Sequence, residues 1–394
     1  MNYTFSKKIS GLAPSVIREI LKFTSDPNVI SFAAGNPAPE TFPVTDITDI
    51  TKKIMQENSV TALQYSITEG YMPLREYMKK YMNEKHDSYK EQDELIITSG
   101  AQQVMDLAAK SLCNENDTII CEAPTFIGSL NAFRSYNINL CGIPMQNDGM
   151  DMDVLENALK TQRNIRFIYT IPNFQNPSGI TTSEQKRKNL YLLAKKYNVL
   201  ILEDNPYGES RFDGENIPTV KSLDTDGLVI YAGSFSKVLS PGLRVGYAIA
   251  PKDIIAKMTV CKQTSDVHSS ILSQMIAYEF IHSYNFESHL QKIRDVNGRK
   301  ANLMMDLMDK CFKEKVEFAR IQGGLFIWCT LPESVDMLAF CKNAVENKVA
   351  LVPGNAFLIN EKERCHNFRA NFTTPTDEQL IQGMNILNEL VKEI

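Results

Sequence analysis

The chain has no long apolar stretch free of charge, so no transmembrane helix is expected. Its opening residues, Met1-Asn2-Tyr3-Thr4-Phe5-Ser6-Lys7-Lys8, lack the apolar centre of a secretory signal, and the expected location is cytoplasmic. Positive charge is not in excess. The formal net charge of −5 gives no electrostatic reason to expect nucleic acid as a partner. Histidine is scarce, and His86, His268, His282, His289 and His366 form no ligand pattern. Cysteine is present eight times, but no two cysteines stand at the two-residue spacing of a zinc or redox motif, so no metal site is expected. Repeats and low-complexity segments are missing too. What is present is a chain of 394 residues, 43% apolar and 23% charged. That composition suits a globular protein large enough for two or more lobes.

The middle of the chain alternates short apolar runs with longer helical patterns. Glu94-Leu95-Ile96-Ile97-Thr98 reads as a buried strand, and Gly100 opens a helix with Met105, Ala108, Ala109 and Leu112 on one face. Thr118 to Cys121, Phe167 to Thr170, Val199 to Leu202 and Val229 to Tyr231 read as further strands. Ser183 is placed to cap a helix carrying Leu190, Leu193, Ala194 and Tyr197. Val245 to Ile249 follows so closely that it is a candidate antiparallel strand. Alternation of this kind predicts right-handed crossovers and a mostly parallel sheet covered on both faces. From about Ser270 the character changes to a long helical stretch reaching about Cys311, then a strand after Gly323-Gly324, another helix, the alternating Phe368-Arg369-Ala370-Asn371-Phe372 and a terminal helix.

Ligands of open parallel sheets bind at the carboxyl ends of the strands. Those ends hold Ser99-Gly100, Pro124-Thr125-Phe126, Asn173 to Asn176, Asp204 and Ser234-Phe235-Ser236-Lys237. Lys237 stands beside two hydroxyls, and Arg244 follows in Pro241-Gly242-Leu243-Arg244-Val245-Gly246. An amine can hold an aldehyde cofactor covalently, while hydroxyls and a guanidinium bind its phosphate. Asp204 ends an apolar run, where a carboxylate can keep a proton on a heteroaromatic nitrogen. Each residue has a plainer reading when taken singly. Most lysines are solvated, Asn205-Pro206 and Asn176-Pro177-Ser178-Gly179 both favour turns, and Phe126 and Tyr207 could be core aromatics.

Taken together and in this order, the motifs resemble those of the fold-type I pyridoxal-phosphate enzymes, specifically the class I and II aminotransferases, from about Ile30 to Asn371. The resemblance implies an α/β fold: a large domain with a mostly parallel seven-stranded sheet covered by helices, and a smaller α+β domain built from both termini. The expected divisions are 1–45, 46–285 and 286–394. It implies pyridoxal 5'-phosphate as cofactor. Lys237 looks like the lysine that holds the cofactor aldehyde, and Asp204 like the partner of the pyridine nitrogen. Asn176 and Tyr207 match the pair bonded to the ring oxygen, and Phe126 the aromatic stacked on the ring. Ser234, Ser236 and Arg244, with the turn at Gly100, Ala101 and Gln102, match the phosphate ligands. Lys237, Asp204 and Tyr207 are thus the catalytic candidates. Arg369 matches the arginine that clamps the substrate α-carboxylate, and Gly35 and Asn176 lie near that carboxylate. Tyr65 matches a tyrosine that reaches the phosphate of the neighbouring protomer, which implies a homodimer with shared sites.

The runs Pro14 to Leu21 and Ser31 to Pro37 are similar to the 2-aminoadipate and kynurenine aminotransferase subgroup, where Arg18 is the position that would meet a side-chain carboxylate. The implied activity moves the α-amino group of an amino acid to a 2-oxo acid, with 2-oxoglutarate as one partner, by a ping-pong route in amino acid metabolism. Two alternatives share these cofactor residues: a C–S lyase or decarboxylase on the same scaffold, and a cofactor-sensing regulator. The regulator would carry a winged-helix domain ahead of the motif series, which here begins near Ser31.

Overall fold

A computed structural model of the chain describes residues 3–10, 26–312 and 315–394. The N-terminal part contributes one short strand, β1 (Ile30–Ser31). The central sheet is built from β2 (Asp93–Thr98), β3 (Thr118–Ala123), β4 (Asn139–Gln146), β5 (Gly149–Met150), β6 (Ile165–Thr170), β7 (Leu200–Asp204), β8 (Val229–Ser234) and β9 (Gly246–Pro251). The strand order is β2-β9-β8-β7-β6-β3-β4-β5. Pairs among β3, β4, β6, β7 and β8 are parallel, while β9 runs antiparallel to both β8 and β2.

The sheet has eight strands where seven were expected, because the two-residue β5 folds back antiparallel on β4. The sequence reading did not place a strand over Asn139–Gln146. That segment carries Gly142 and Pro144 and is mostly half-exposed, so it has neither alternation nor a continuous apolar run. β7 also runs on past Leu202 to include Glu203 and Asp204, both buried. Glu203 is tolerated there because both of its oxygens find hydrogen-bond donors, while Asp204 finds a donor for one oxygen only. Glu203 accepts the backbone N–H groups of Val220 and Lys221, at 3.0 and 2.7 Å.

Helices cover both faces, as parallel strands require. Helix Ala101–Leu112 lays Val104, Met105, Leu107, Ala108 and Ala109 on one face. Helices Met72–His86 and Ile271–Ser283 pack on the other, against Leu95, Ile97, Tyr231 and Tyr247. Helix Glu184–Tyr197 begins as expected, with the Ser183 side chain accepting from the Lys186 N–H. The long helical stretch is two helices, Ile271–Ser283 and Phe286–Phe312. The break falls where the Asn285 side chain accepts from the Ser288 N–H, a cap that asparagine makes better than it fills a helix interior.

The C-terminal part forms a four-stranded sheet of β10 (Glu317–Phe318), β11 (Phe326–Thr330), β13 (Val352–Pro353) and β14 (Asn367–Asn371), in the order β10-β11-β14-β13. β1 pairs in parallel with β12 (Val349–Ala350), and Ile30 and Phe32 join the same core as helices Phe286–Phe312 and Asp377–Lys392. Chain from both ends therefore builds this smaller lobe. Among the described residues, no helix is long and apolar enough to cross a membrane.

Candidate active site

The carboxyl ends of β3, β6, β7 and β8 open into a cavity of about 290 Å³. Gly35, Ala101, Gln102, Phe126, Asn176, Asp204, Tyr207, Ser234, Ser236, Lys237, Arg244 and Arg369 all line it. Gly100 lies just behind, against the Arg244 guanidinium. A larger cavity of about 600 Å³ lies between helix Met72–His86 and the segment after β7, but of the residues given a cofactor or substrate role above it touches only Ser234. Tyr65 lies outside the smaller cavity. It is 82% exposed, its ring edge-on to His268 at 5.8 Å. Arg18 lies outside the described residues.

One end of the cavity is built for an anion. Gly100, at φ +74°, precedes helix Ala101–Leu112 and turns that helix's free N–H groups toward the site. Arg244, itself in the left-handed region at φ 54°, donates from Nη2 to the Ser99 carbonyl at 3.1 Å and from Nη1 toward Ser236 Oγ at 3.5 Å. The packing leaves no room for side chains here. A Cβ on Gly100 would run into the Arg244 guanidinium, and one on Gly246 would press on the Gly100–Ala101 backbone. Beneath the turn, Lys262 is buried and donates to Gln103 Oε1 (2.7 Å), Ser269 Oγ (3.0 Å) and Asp266 (2.9 Å), while Ser99 Oγ donates to Asp266 Oδ2 at 3.0 Å. This ion pair holds the turn from below, and the sequence reading did not find it.

At the floor, Asp204 is buried and accepts from Tyr169 Oη at 2.8 Å through Oδ2. Its other oxygen, Oδ1, is buried with no partner. Burial raises the Asp204 carboxyl to about 7, and the Glu122 charge adds to the rise, while the Tyr169 bond opposes it. Lys237 reaches across to donate from Nζ to the Gly35 carbonyl at 2.7 Å. Burial, then the positive charges of Arg369 and Arg244, lower its amine to about 8.

The opposite wall holds Arg369, 2% exposed. It donates from Nη1 to Asn176 Oδ1 and from Nη2 to the Ala33 carbonyl, both at 2.8 Å, and its Nε is buried without an acceptor. Phe326 and Phe357 lie against the guanidinium, with ring centres 3.9 and 4.9 Å away. Burial lowers its affinity for the proton, to about 9. A cation with an unused donor in an apolar box suits a carboxylate.

The orphaned Asp204 oxygen, the anion cradle at Gly100 and the amine between them match an aromatic ring nitrogen, a phosphate and an aldehyde. The residues present therefore fit pyridoxal phosphate. The sequence model described as aminotransferase class I and II matches residues 27–387. The chain belongs to this family. The aminotransferase is 39% identical to the aromatic-amino-acid aminotransferase 1 of Thermococcus litoralis, over 99% of this chain and 94% of that one. It is 36% identical to the 2-aminoadipate transaminase of Thermus thermophilus, over 98% and 96% of the two chains. A solved kynurenine aminotransferase from Pyrococcus horikoshii, in complex with PMP, superposes with a TM-score of 0.95 at 36% identity, covering 99% of this chain and 97% of that one. The cofactor of this aminotransferase is pyridoxal phosphate.

Several residues of the site escaped the sequence reading because they sit inside strands. Tyr169 and Phe326 were read only as strand residues. Glu122, on β3, is fully buried and raised to about 7 by burial. It accepts from Thr170 Oγ1 (2.6 Å), the Ile171 N–H (3.0 Å) and Gln175 Nε2 (3.0 Å), and Gln175 in turn accepts from Ser178. That chain of bonds fixes the turn bearing Asn176. No local pattern marks it, since its members are spread over two strand ends, those of β3 and β6.

Arg369→Lys is expected to raise the KM for the amino acid about 30-fold or more, with kcat changed less. A lysine keeps the charge but loses the planar fork, a cost on the order of 2 kcal/mol for uniform binding. Steady-state kinetics check this, and an unchanged KM would remove Arg369 from the substrate site.

Proposed function

We propose that the enzyme transfers the α-amino group of an amino acid to a 2-oxo acid by a ping-pong route, with 2-oxoglutarate as one acceptor. The observation that carries this reading is the shared cavity of Lys237 and Arg369: an amine lowered to about 8 faces the same space as a buried guanidinium with an unused N–H. An α-amino acid offers a carboxylate to Arg369 and its α-hydrogen to Lys237. Bound here, pyridoxal phosphate supplies the electron sink for the charge left at the α carbon. Lys237, whose amine would hold the cofactor aldehyde in the resting enzyme, would when free be the base that takes the α-proton. Its lowered pKa leaves a useful fraction unprotonated near neutral pH. Asp204 would keep a proton on the ring nitrogen, and Asn176 and Tyr207 would hold the ring oxygen. Ser234, Ser236, Arg244 and the N–H groups at Gly100, Ala101 and Gln102 would hold the phosphate, while Phe126 would cover the ring. Gly35 borders the substrate carboxylate.

The family assignment favours transamination over lyase or decarboxylase chemistry and over a sensing role. The homodimer reading is supported by the exposed apolar run around Tyr65, with Val60 at 77% and Leu63 at 70% exposed. In it, Tyr65 serves the partner's phosphate. Eight free thiols support a reducing, cytoplasmic setting.

A half-reaction screen tests the activity. The purified, cofactor-loaded enzyme is mixed with one amino acid at a time, aromatic amino acids, kynurenine, 2-aminoadipate and glutamate first. The expected result is one equivalent of 2-oxo acid per site without any acceptor, and restoration of the starting absorbance on adding 2-oxoglutarate. Ammonia or CO2 released catalytically, with no acceptor consumed, would replace this reading with a lyase or a decarboxylase.

A further inference from the structure

We infer that Tyr169 is a positioning residue that binds one oxygen of Asp204 and so presents the other to the cofactor's ring nitrogen. The inference rests on the reading of Asp204 given above.

Tyr169 and Asp204 stand on adjacent parallel strands. In the register Tyr169 pairs with Leu202, so Asp204 is two residues further along β7 and on the same face of the sheet. The phenol is completely buried and its ring meets Phe133 edge-on at 5.4 Å, which leaves it little rotational choice. The hydroxyl is engaged on both sides. Ser129 Oγ, also buried, donates to it at 2.8 Å, and it donates to Asp204 Oδ2 at 2.8 Å. When Asp204 is ionised its carboxylate only accepts, and the relay then runs from Ser129 to Tyr169 to Asp204.

Tyr169 supplies the one hydrogen bond to the Asp204 side chain among the described residues. The charged and titratable groups near this carboxylate are Glu122 on β3, Tyr207 beyond β7 and Tyr169 itself. Glu122 opposes ionisation of Asp204, as does burial, and Tyr169 is the group that favours it. Two consequences follow from deleting that hydroxyl. The carboxylate becomes free to rotate, and its ionised form loses its one donor. A carboxyl that keeps its own proton no longer holds a proton on the ring nitrogen.

The test uses holoenzymes loaded with pyridoxal phosphate carrying 15N in the ring: wild type, Tyr169→Phe, Ser129→Ala and Asp204→Ala. Three quantities are read: the ring 15N chemical shift, the rate of cofactor loss on dialysis, and kcat against KM. Tyr169→Phe removes one oxygen from a packed ring and is expected to fold. It should move the 15N shift toward the unprotonated value, speed cofactor loss about tenfold, and lower kcat more than it raises KM. Ser129→Ala, which weakens the relay without breaking the bond to Asp204, should move the shift in the same direction by less. If Tyr169→Phe does not fold, an unmoved shift in Ser129→Ala overturns the inference. A wild-type shift and wild-type cofactor retention in Tyr169→Phe, with both lost in Asp204→Ala, overturn the role of Tyr169 and leave that of Asp204 standing. Wild-type values in Asp204→Ala overturn the reading of Asp204 itself.

Discussion

Lys237→Ala should leave a folded protein whose transamination rate is lower by at least about a thousandfold, the scale of losing a positioned proton-transfer group together with the covalent attachment. Stopped-flow mixing with glutamate measures it. Near-normal turnover would show that another group moves the α-proton. The fold should survive because Lys237 makes one side-chain hydrogen bond, to the Gly35 carbonyl, and its charge is a burden there. The sign can be worked out. The folded amine titrates near 8, below its ordinary 10.5, so the unfolded chain binds more protons between those values. Stability of the cofactor-free protein therefore rises with pH through that window, and the cost of burying the ammonium is fully present below about 8. Lys237→Met keeps the stem and removes the charge. The cofactor-free variant should melt at or above the wild-type temperature at pH 7, and the difference should close as the pH rises toward 10.5. A variant that melts lower at pH 7 would contradict this account of the amine.

Asp204→Ala is the second large effect. Loss of a charge-assisted hydrogen bond to a ring nitrogen costs about 1.5–3 kcal/mol, or about 10- to 100-fold in cofactor affinity. The single-turnover rate should fall further, by about 100-fold or more, since in the proposed role the carboxylate would act where charge develops on the ring. Asp204→Asn separates charge from shape: it preserves the volume and a contact to Tyr169, yet should lose nearly as much rate. Dialysis against cofactor-free buffer and single-turnover absorbance changes report the two losses. An unchanged single-turnover rate in either variant would take Asp204 out of the chemistry.

The candidate site was legible to an unequal degree. Ser234, Ser236, Lys237 and Arg244 stand close together in the chain, so one local motif reveals them, and the cavity contains all four. Asp204, Asn176 and Phe126 were found from their places at strand ends, and they also line that cavity. Arg369 came from the family resemblance, since nothing local distinguishes it from a solvated arginine. Tyr169, Glu122 and Lys262 were not found at all. Their patterns are those of ordinary strand and helix residues, and what sets them apart is the partner each meets across the fold. β4 was missed for a related reason: its pairing with β3 is supplied by the rest of the sheet.

The sequence by itself determined the family, the cofactor and the spacing of the candidate groups for it, because those depend on residues carried by short segments at the ends of predictable strands. Only the tertiary structure decided what those groups can do. Strand order and register bring Tyr169 to Asp204 and Asn176 to Arg369, contacts between residues 35 and 193 positions apart. Enclosure by several elements at once lowers the Lys237 amine and raises the Asp204 carboxyl. Periodicity reports which face of an element is buried. The dielectric around a single atom, and the one donor that offsets it, exist only after the chain has folded.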